Sequence, residues 1–331
     1  MPVSAKPTNA LVTGAGGFIA HHLCKYLVAQ GYHVRGVDIK EPEYGASAAQ
    51  EFELLDLRKL DNCLIAARGV DEIYHLAADM GGIGYITQFL AEIAKNNTMM
   101  NVHLLEAARI HGVKRFLFSS TACVYPQHLQ KVPDIAPLRE DQAYPADPEE
   151  GYGWEKLYME KLCEYYMKDY GLQTRVVRFH NVYGPLGTYE GGKEKVPAAV
   201  CRKVALATEG EAIEVWGDGE QTRSFMHIDD CVIGIDKVMH CDDGHPFNLG
   251  RDEMVTINEL YDIVAGIAGK RIEKRHDLTK PQGVRGRNSD NSRLQSVLGW
   301  QPPTGLTEGL APTYAWISGQ LAARRLVPVA V

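Results

Sequence analysis

The chain has 331 residues, of which 45% are hydrophobic and 23% charged, and a formal net charge of -7. That length allows a large core and two lobes, and the acidic balance argues against general binding to nucleic acid or to an anionic membrane. No apolar run is long enough to span a bilayer, and Met1-Pro2-Val3-Ser4-Ala5-Lys6 has no signal-peptide core, so a cytoplasmic protein is expected. The 7 cysteines are scattered without a C-x-x-C pair, and Cys24, Cys163, Cys201 and Cys231 fall in helical patterns as buried thiols. The 12 histidines form no ligand cluster, so no metal site is expected.

Ala10-Leu11-Val12-Thr13 reads as a first strand, running into Gly14-Ala15-Gly16-Gly17-Phe18-Ile19-Ala20 and a helix that ends near Gly31. The small positions Gly14, Gly17 and Ala20 permit a tight turn and let backbone N–H groups approach a pyrophosphate. A second strand, His33-Val34-Arg35-Gly36-Val37, ends in Asp38. An acid about 20 residues after the turn is placed for ribose hydroxyls and repels a 2′-phosphate, which favours NAD over NADP. Arg35 or Lys40 are the residues that could instead accommodate that phosphate. Residues 51–56 read as a short third strand ending in Asp56, which either binds an adenine amino group or caps the next helix. Residues 72–78 read as a fourth strand. Asp79-Met80-Gly81-Gly82-Ile83-Gly84 is too glycine-rich for helix or sheet, and reads as a backbone wall against a ligand or as a flexible loop. Residues 89–111 are amphipathic and helical.

Arg115-Phe116-Leu117-Phe118-Ser119-Ser120-Thr121-Ala122-Cys123-Val124-Tyr125-Pro126 begins as a strand covered on both faces, then breaks into small hydroxyl residues. Ligands of open α/β sheets bind outside the carboxyl ends of the strands, where Thr121 and Cys123 fall. Residues 126–151 look irregular. In Tyr152-Gly153-Trp154-Glu155-Lys156 the tyrosine and lysine share one helix face. An ammonium there is expected to lower the phenol from its usual pKa of about 10, making Tyr152 a base. A sixth strand over residues 174–179 leads to His180-Asn181-Val182-Tyr183-Gly184-Pro185.

After Pro185 the pattern changes. Residues 188–197 are a polar loop entering a helix, where Lys195 reads by itself as a solvated helix-start lysine. Short strands follow at residues 213–217 and 221–225, then a helix opening with Asp229-Asp230, a strand ending near Gly250 and a helix from about Thr256. Gly283-Val284-Arg285-Gly286-Arg287-Asn288-Ser289-Asp290-Asn291 sets two arginines among glycines, as bidentate phosphate partners or as a solvated loop. The expected fold class is α/β: a doubly wound parallel sheet of Rossmann type with a smaller, interleaved C-terminal lobe. The nucleotide lobe is expected over residues 1–182 with 226–255 returning to it, and the substrate lobe over 183–225 and 256–331.

Together Gly14-Ala15-Gly16-Gly17-Phe18-Ile19, Asp38, Asp56, Ser119-Ser120-Thr121 and Tyr152-x-x-x-Lys156 resemble the extended short-chain dehydrogenase/reductase family. A more specific set is similar to the members of that family that epimerise GDP-sugars. It comprises residues 78–84, Ala122-Cys123-Val124-Tyr125-Pro126, residues 178–185, Gly191-Gly192-Lys193-Glu194-Lys195, residues 216–225 and residues 283–291. The resemblance implies a tightly held NAD, a GDP-sugar substrate, a homodimer, and Cys123 with Lys195 as an acid–base pair beside Thr121, Tyr152 and Lys156. It also implies substrate contacts from Gly81, Thr121, Ala122, Asn181, Glu194, Val196, Lys203, Gln221, Arg223 and Arg285. A related reductase of a GDP-4-keto-6-deoxy sugar would use NADPH and a histidine where Leu186 stands. A 4,6-dehydratase would need a carboxylate near Cys123, and none is expected. A non-catalytic NAD-binding regulator is opposed by the intact Tyr152, Lys156, Cys123 and Lys195.

The purified protein is expected to bind NAD in preference to NADP, and Asp38→Ala to narrow that preference by removing both the ribose bond and the repulsion of a 2′-phosphate. Titration showing tighter NADP binding by the native protein would reject the cofactor assignment.

Overall fold

A parallel strand buries both faces and reaches its neighbour only through a crossover, so alternating strand and helix patterns build a sheet with helices on each side. The computed structural model describes residues 8–280 and 282–326. Residues 1–6, read above for a signal sequence, lie outside them. In chain order come β1 (Asn9–Thr13), α1 (Phe18–Ala29), β2 (His33–Asp38), β3 (Glu51–Leu54), α2 (Leu60–Ala66), β4 (Glu72–His75), α3 (Ile83–Gln88), α4 (Leu90–Ile110), β5 (Arg115–Thr121), α5 (Tyr152–Tyr170) and β6 (Gln173–Phe179). There follow β7 (Asn181–Tyr183), α6 (Val196–Leu206), β8 (Ala212–Trp216), β9 (Thr222–His227), α7 (Ile228–His240) and β10 (Phe247–Leu249). The last are β11 (Met254–Thr256), α8 (Ile257–Ala268), β12 (Glu273–Asp277), β13 (Gly286–Arg287), α9 (Ser292–Leu298) and α10 (Leu306–Leu326).

Seven parallel strands form the main sheet in the order β10-β6-β5-β4-β1-β2-β3. The order reverses at β1, which pairs with β2 on one side and β4 on the other. That switch point opens a crevice at the carboxyl ends of the strands. Leu23 and Leu27 of α1 pack with Ile235 and Val238 of α7 on one face. Leu104 and Leu105 of α4 pack with Met159 and Cys163 of α5 on the other. Burying each such side chain contributes about 1.5–3 kcal/mol. In the second lobe β9 pairs with β11, β13 and β7, while β8 pairs with β12. Its core gathers Val200 and Val204 of α6, Leu260 and Val264 of α8, and Leu310 and Ile317 of α10.

Three local features differ from the sequence expectation. β4 stops at His75 because the Thr13 hydroxyl, not a neighbouring strand, takes the next two N–H groups: Leu76 and Ala77 each donate to Thr13 Oγ1 at 3.2 Å. Gly84 is helical after all, inside α3, where the Tyr85 hydroxyl bonds Asp79 at 2.8 Å and anchors the turn. The chain also returns to the large sheet once more than expected, since Leu294, Leu298 and Trp300 join the core formed by α1 and α7.

Behind β5 lies a buried ion pair. Arg178 of β6 meets Glu160 of α5 through Nε–Oε1 at 2.9 Å and Nη2–Oε2 at 2.7 Å, with side chains only 2% and 4% exposed. Arg178 Nη1 also donates to the Glu140 carbonyl at 2.7 Å, and the Ser120 hydroxyl donates to Glu160. Glu160→Ala leaves the guanidinium buried without its counter-charge, and is expected to lower the unfolding free energy by about 3–5 kcal/mol. A urea titration reads this, and a loss under about 1 kcal/mol would mean the pair is open to water.

Candidate active site

The carboxyl ends of the central strands open into one cavity of about 710 Å³. At its first wall, Gly14 has φ +72°, and a Cβ there would lie 2.9 Å from the Ala77 backbone. Gly17 caps α1 without a side-chain bond, leaving the first-turn N–H groups beside Phe18 and Ile19 facing the cavity. The Asp38 carboxylate accepts from the N–H of Gly16 at 2.9 Å and of Ile39 at 2.6 Å, which fixes it at the cavity edge. A backbone cradle too tight for side chains, a helix N-terminus and a carboxylate at the second strand's end suit a dinucleotide. Arg35 is not free for a 2′-phosphate: it bonds Glu51 at 2.7 Å and the carbonyls of Ala66 and Arg68 at 3.0 and 2.9 Å. Lys40 does line the cavity. Asp56 lines it too, paired with Arg58 at 2.9 and 2.8 Å, which holds its carboxyl below the usual range. It does not cap α2, whose N-cap is Lys59.

The second wall is the end of β5. Thr121 Oγ1 accepts the Cys123 N–H at 3.2 Å and so starts the short 3-10 turn Ala122–Val124. Thr121, Ala122 and Cys123 line the cavity. α5 begins against this turn: a Cβ on Gly153 would lie 2.5 Å from the Cys123 carbonyl oxygen, so only glycine lets Tyr152 come this close. Lys156, one helical turn on, donates to the Ser119 carbonyl at 2.9 Å and lies 5.6 Å from the Tyr152 ring centre. It stands behind the cavity wall rather than in it. The expected lowering of the Tyr152 phenol is not what the protein alone produces. Burial pushes that phenol well above 10, the charges of Glu155 and Cys123 push it further, and the Thr121 hydrogen bond opposes them. Burial also lowers Lys156.

The second lobe supplies the opposite side. Lys195, at the N-cap of α6, donates to the Gly81 carbonyl at 3.3 Å, and both residues line the cavity. Surrounding protein lowers the Lys195 pKa by desolvation although its side chain stays accessible from the cavity, while Cys123 and Glu149 act to raise it. Asn181 also lines the cavity, its amide donating to the Ser224 carbonyl at 3.0 Å.

Two residues absent from the sequence-based set stand at the thiol. Arg287 of β13 donates from Nη1 to Cys123 Sγ at 3.4 Å and from Nε to Gln130 at 2.7 Å. Glu149 donates its N–H to the Cys123 carbonyl at 3.0 Å, and its carboxylate is 3.8 Å from Arg287 Nη2. The expectation that no carboxylate lies near Cys123 is therefore wrong: the long loop after β5 folds back on the turn and carries Glu149 with it. Burial raises the Cys123 pKa, Arg287 opposes that, and Glu149 adds to it. The run Arg285-Gly286-Arg287 signalled an arginine here, but the other one was expected. Arg285 is held by Asp218 at 2.9 and 3.0 Å and does not line the cavity.

Glu194, Val196, Lys203, Gln221 and Arg223 also lie off this cavity. Glu194 accepts from Gly192 at 2.6 Å, Lys203 donates to the Glu214 carbonyl at 2.7 Å, and Gln221 donates to the Trp216 carbonyl at 3.2 Å. Val196 is exposed. Arg223 donates to the Thr222 carbonyl at 2.7 Å, and desolvation beside Arg287 pushes its pKa down to about 9. A half-buried guanidinium held among other cations suits an anionic group.

Residues 10–250 match the model of the NAD dependent epimerase/dehydratase family. The chain is 47% identical over 312 residues to GDP-mannose 3,5-epimerase 1 of Oryza sativa subsp. japonica and to GDP-mannose 3,5-epimerase of Arabidopsis thaliana, covering 94% of this chain and 82% of each relative. Among solved structures, the UDP-glucose 4-epimerase of Thermus thermophilus in complex with NAD superposes with a TM-score of 0.81 at 26% identity, covering 94% of this chain and 99% of that one.

Because Arg287 favours the Cys123 thiolate, Arg287→Met is expected to slow alkylation of that thiol at pH 8, by about tenfold for each unit its pKa rises. Peptide mass spectrometry reads the Cys123 rate against that of the partly exposed Cys241. An unchanged Cys123 rate would separate the guanidinium from the sulfur.

Proposed function

The chain belongs to the NAD dependent epimerase/dehydratase family, and we propose that it inverts C3 and C5 of GDP-D-mannose to give GDP-L-galactose, with GDP-L-gulose where only C5 is inverted. The observation that carries this is one cavity holding a hydroxyl and a phenol, Thr121 and Tyr152, with a thiol and an amine, Cys123 and Lys195, from two lobes. The identity to epimerases of that substrate supports it.

NAD is the cofactor. The backbone at Gly14, Gly17, Phe18 and Ile19 suits its diphosphate, Asp38 its adenosine ribose, Asp56 its adenine, and Tyr152 with Lys156 its nicotinamide ribose. When bound it accepts a hydride from C4 and later returns it, and it brings the positive charge that buried Tyr152 lacks in the protein alone.

The C3 and C5 protons of a hexose are not acidic, but a ketone at C4 is α to both and turns each anion into an enolate. Tyr152 takes the C4 hydroxyl proton, and Thr121 hydrogen-bonds the oxygen as it gains carbonyl and then enolate character. Lys156 steadies the Tyr152 anion. Cys123 removes a carbon-bound proton from one face, helped by Arg287, and Lys195 supplies one from the other. Arg223, a half-buried cation, suits the diphosphate of the substrate. Glu194, Val196, Lys203, Gln221 and Arg285 are assigned to the rest of the GDP group, with Gly81, Ala122 and Asn181 beside the sugar.

We assign residues 8–182 with 226–255 to the nucleotide lobe, joined by residues 292–300 through Leu294, Leu298 and Trp300, and 183–225 with the rest of 256–326 to the substrate lobe. A homodimer in the cytoplasm is the proposed setting. Trp154, Tyr158 and Tyr165 of α5 and Met99 of α4 are exposed, an apolar surface that suits a second copy. The reductase reading is opposed by Leu186 and Asp38. Glu149 removes the objection to a dehydratase, but the identity to 3,5-epimerases still favours inversion.

Incubation with GDP-mannose in heavy water, followed by NMR, is expected to show deuterium at C3 and C5 and none at C4, because the C4 hydrogen leaves and returns as hydride. Tyr152→Phe is expected to abolish the labelling. Absence of label at both carbons in the native protein, or substantial C5 inversion by Tyr152→Phe, would sink the ketone mechanism.

A further inference from the structure

A reaction that takes a hydride from C4 and later returns it needs one cofactor molecule to stay bound across the whole cycle. A reduced cofactor lost midway would strand the sugar as a ketone. That demand rests on the epimerase reading above; the contacts that meet it depend only on NAD being the cofactor. Two segments, one from each lobe, cross the diphosphate cradle. The first follows β2. Its Lys40 carbonyl packs so closely on the glycine turn that a Cβ on Gly16 would lie 2.3 Å from the oxygen, and Tyr44 stands four residues further on. The second runs from β7 toward Lys195. A Cβ on Gly187 would lie 3.4 Å from the Phe18 ring at the start of α1. Leu186, just before it, holds φ +64°, a left-handed conformation that leucine keeps only where its surroundings fix it. Gly17, Phe18, Lys40 and Thr188 line the large cavity, and the same four border a narrow pocket that reaches Tyr44 and Leu186.

Aromatic rings join the two segments. The centre of the Tyr44 ring lies 5.8 Å from that of Tyr189, and both rings meet Trp316 of α10 edge-on, at 5.0 and 5.5 Å. Tyr189 is fully buried, with the Arg324 guanidinium 5.4 Å from its ring centre and paired with Glu190. Tyr44 therefore packs on the core of the second lobe, although its segment leaves the sheet of the first. None of the three rings lines the large cavity. They hold its walls to each other and not the ligand itself.

We propose that Tyr44 is the latch of an aromatic clasp that retains NAD through the catalytic cycle. Its ring ties the Lys40 segment to the Thr188 segment across the cradle, and NAD leaves only when Tyr44 comes off Tyr189 and Trp316. That opening wets the packed faces of three rings, which makes release slow. Tyr44 acts through the segments it joins and touches no reacting atom, so it is a positioning residue. The clasp also spans the two lobes at the end of the cavity away from Cys123, where the Lys195 bond to Gly81 does not reach.

The test reads cofactor exchange and needs no sugar. Protein loaded with radiolabelled NAD is diluted into excess unlabelled NAD, and the label still bound is followed with time. Tyr44→Ala removes two ring contacts, each worth a factor of about 2 to 12, so label is expected to leave roughly 5- to 150-fold faster than from the native protein. Tyr44→Phe keeps both contacts and is expected to exchange at the native rate. A purely structural role for the ring would lower the urea midpoint of the variant and leave exchange by the folded protein unchanged. Trp316→Leu removes the ring on which Tyr44 rests and is expected to speed release as well, which keeps the clasp open to rejection if Tyr44→Ala fails to fold. Native exchange in either Tyr44→Ala or Trp316→Leu, or exchange in Tyr44→Phe as fast as in Tyr44→Ala, overturns the clasp and leaves the epimerase reading standing. A native protein that inverts neither carbon overturns that reading and leaves the exchange result as it is.

Discussion

The buried pair of Arg178 and Glu160 is the constraint on which the architecture behind the cavity depends. Taking two charges out of water costs several kcal/mol per ion unless every donor and acceptor is satisfied. That need recruits the Ser120 hydroxyl, the Tyr125 hydroxyl and the Glu140 carbonyl around the two side chains. Tyr125 in turn donates to Asn248 at 2.5 Å, and Asn248 donates to the Leu138 carbonyl at 2.7 Å. One polar network thus ties β5, α5, β6, β10 and the loop after β5 to each other. Thr121, Cys123 and Tyr152 all emerge from elements held this way, so their mutual positions are set by buried bonds and not by a free loop.

The cavity is electrostatically unlike the chain as a whole. The protein carries a net charge of -7, yet Arg287 and Lys195 line the cavity and Arg223 lies half-buried close to Arg287. Desolvation works against each charge there. It pushes the Cys123 thiol and the Tyr152 phenol up, and the Lys195 amine and the Arg223 guanidinium down. Both candidate bases are thereby kept protonated until an added positive charge, or a neighbour such as Arg287, offsets the burial. The two lobes are also joined at this point, through Lys195 to the Gly81 carbonyl and Arg287 to Gln130.

Whatever rests on local pattern was legible in the sequence. Apolar runs, small-residue turns and helix-face spacing gave the parallel sheet, the glycine cradle at Gly14 and Gly17, the acid at Asp38, and the Tyr152 and Lys156 pair on one helix. These follow from backbone sterics and from the two periodicities of helix and strand, which act over a few residues. Family resemblance added Lys195, which pattern alone left as a surface lysine.

Tertiary structure decided the rest, because it depends on where distant segments meet. Glu149 lies in an irregular loop with no periodicity to reveal its place. It reaches Cys123 only because that loop returns to the 3-10 turn. Arg285 and Arg287 are equivalent by composition, and β13 separates them by giving one to Asp218 and the other to the thiol. Likewise, proximity along a helix predicted a lowered Tyr152 phenol, but burial is a property of the whole fold, and with the charges of Glu155 and Cys123 it pushes the phenol up against the Thr121 hydrogen bond. Sequence by itself determined the elements and most of the chemistry-bearing residue types. Only the packed chain determined which of those groups share one buried environment.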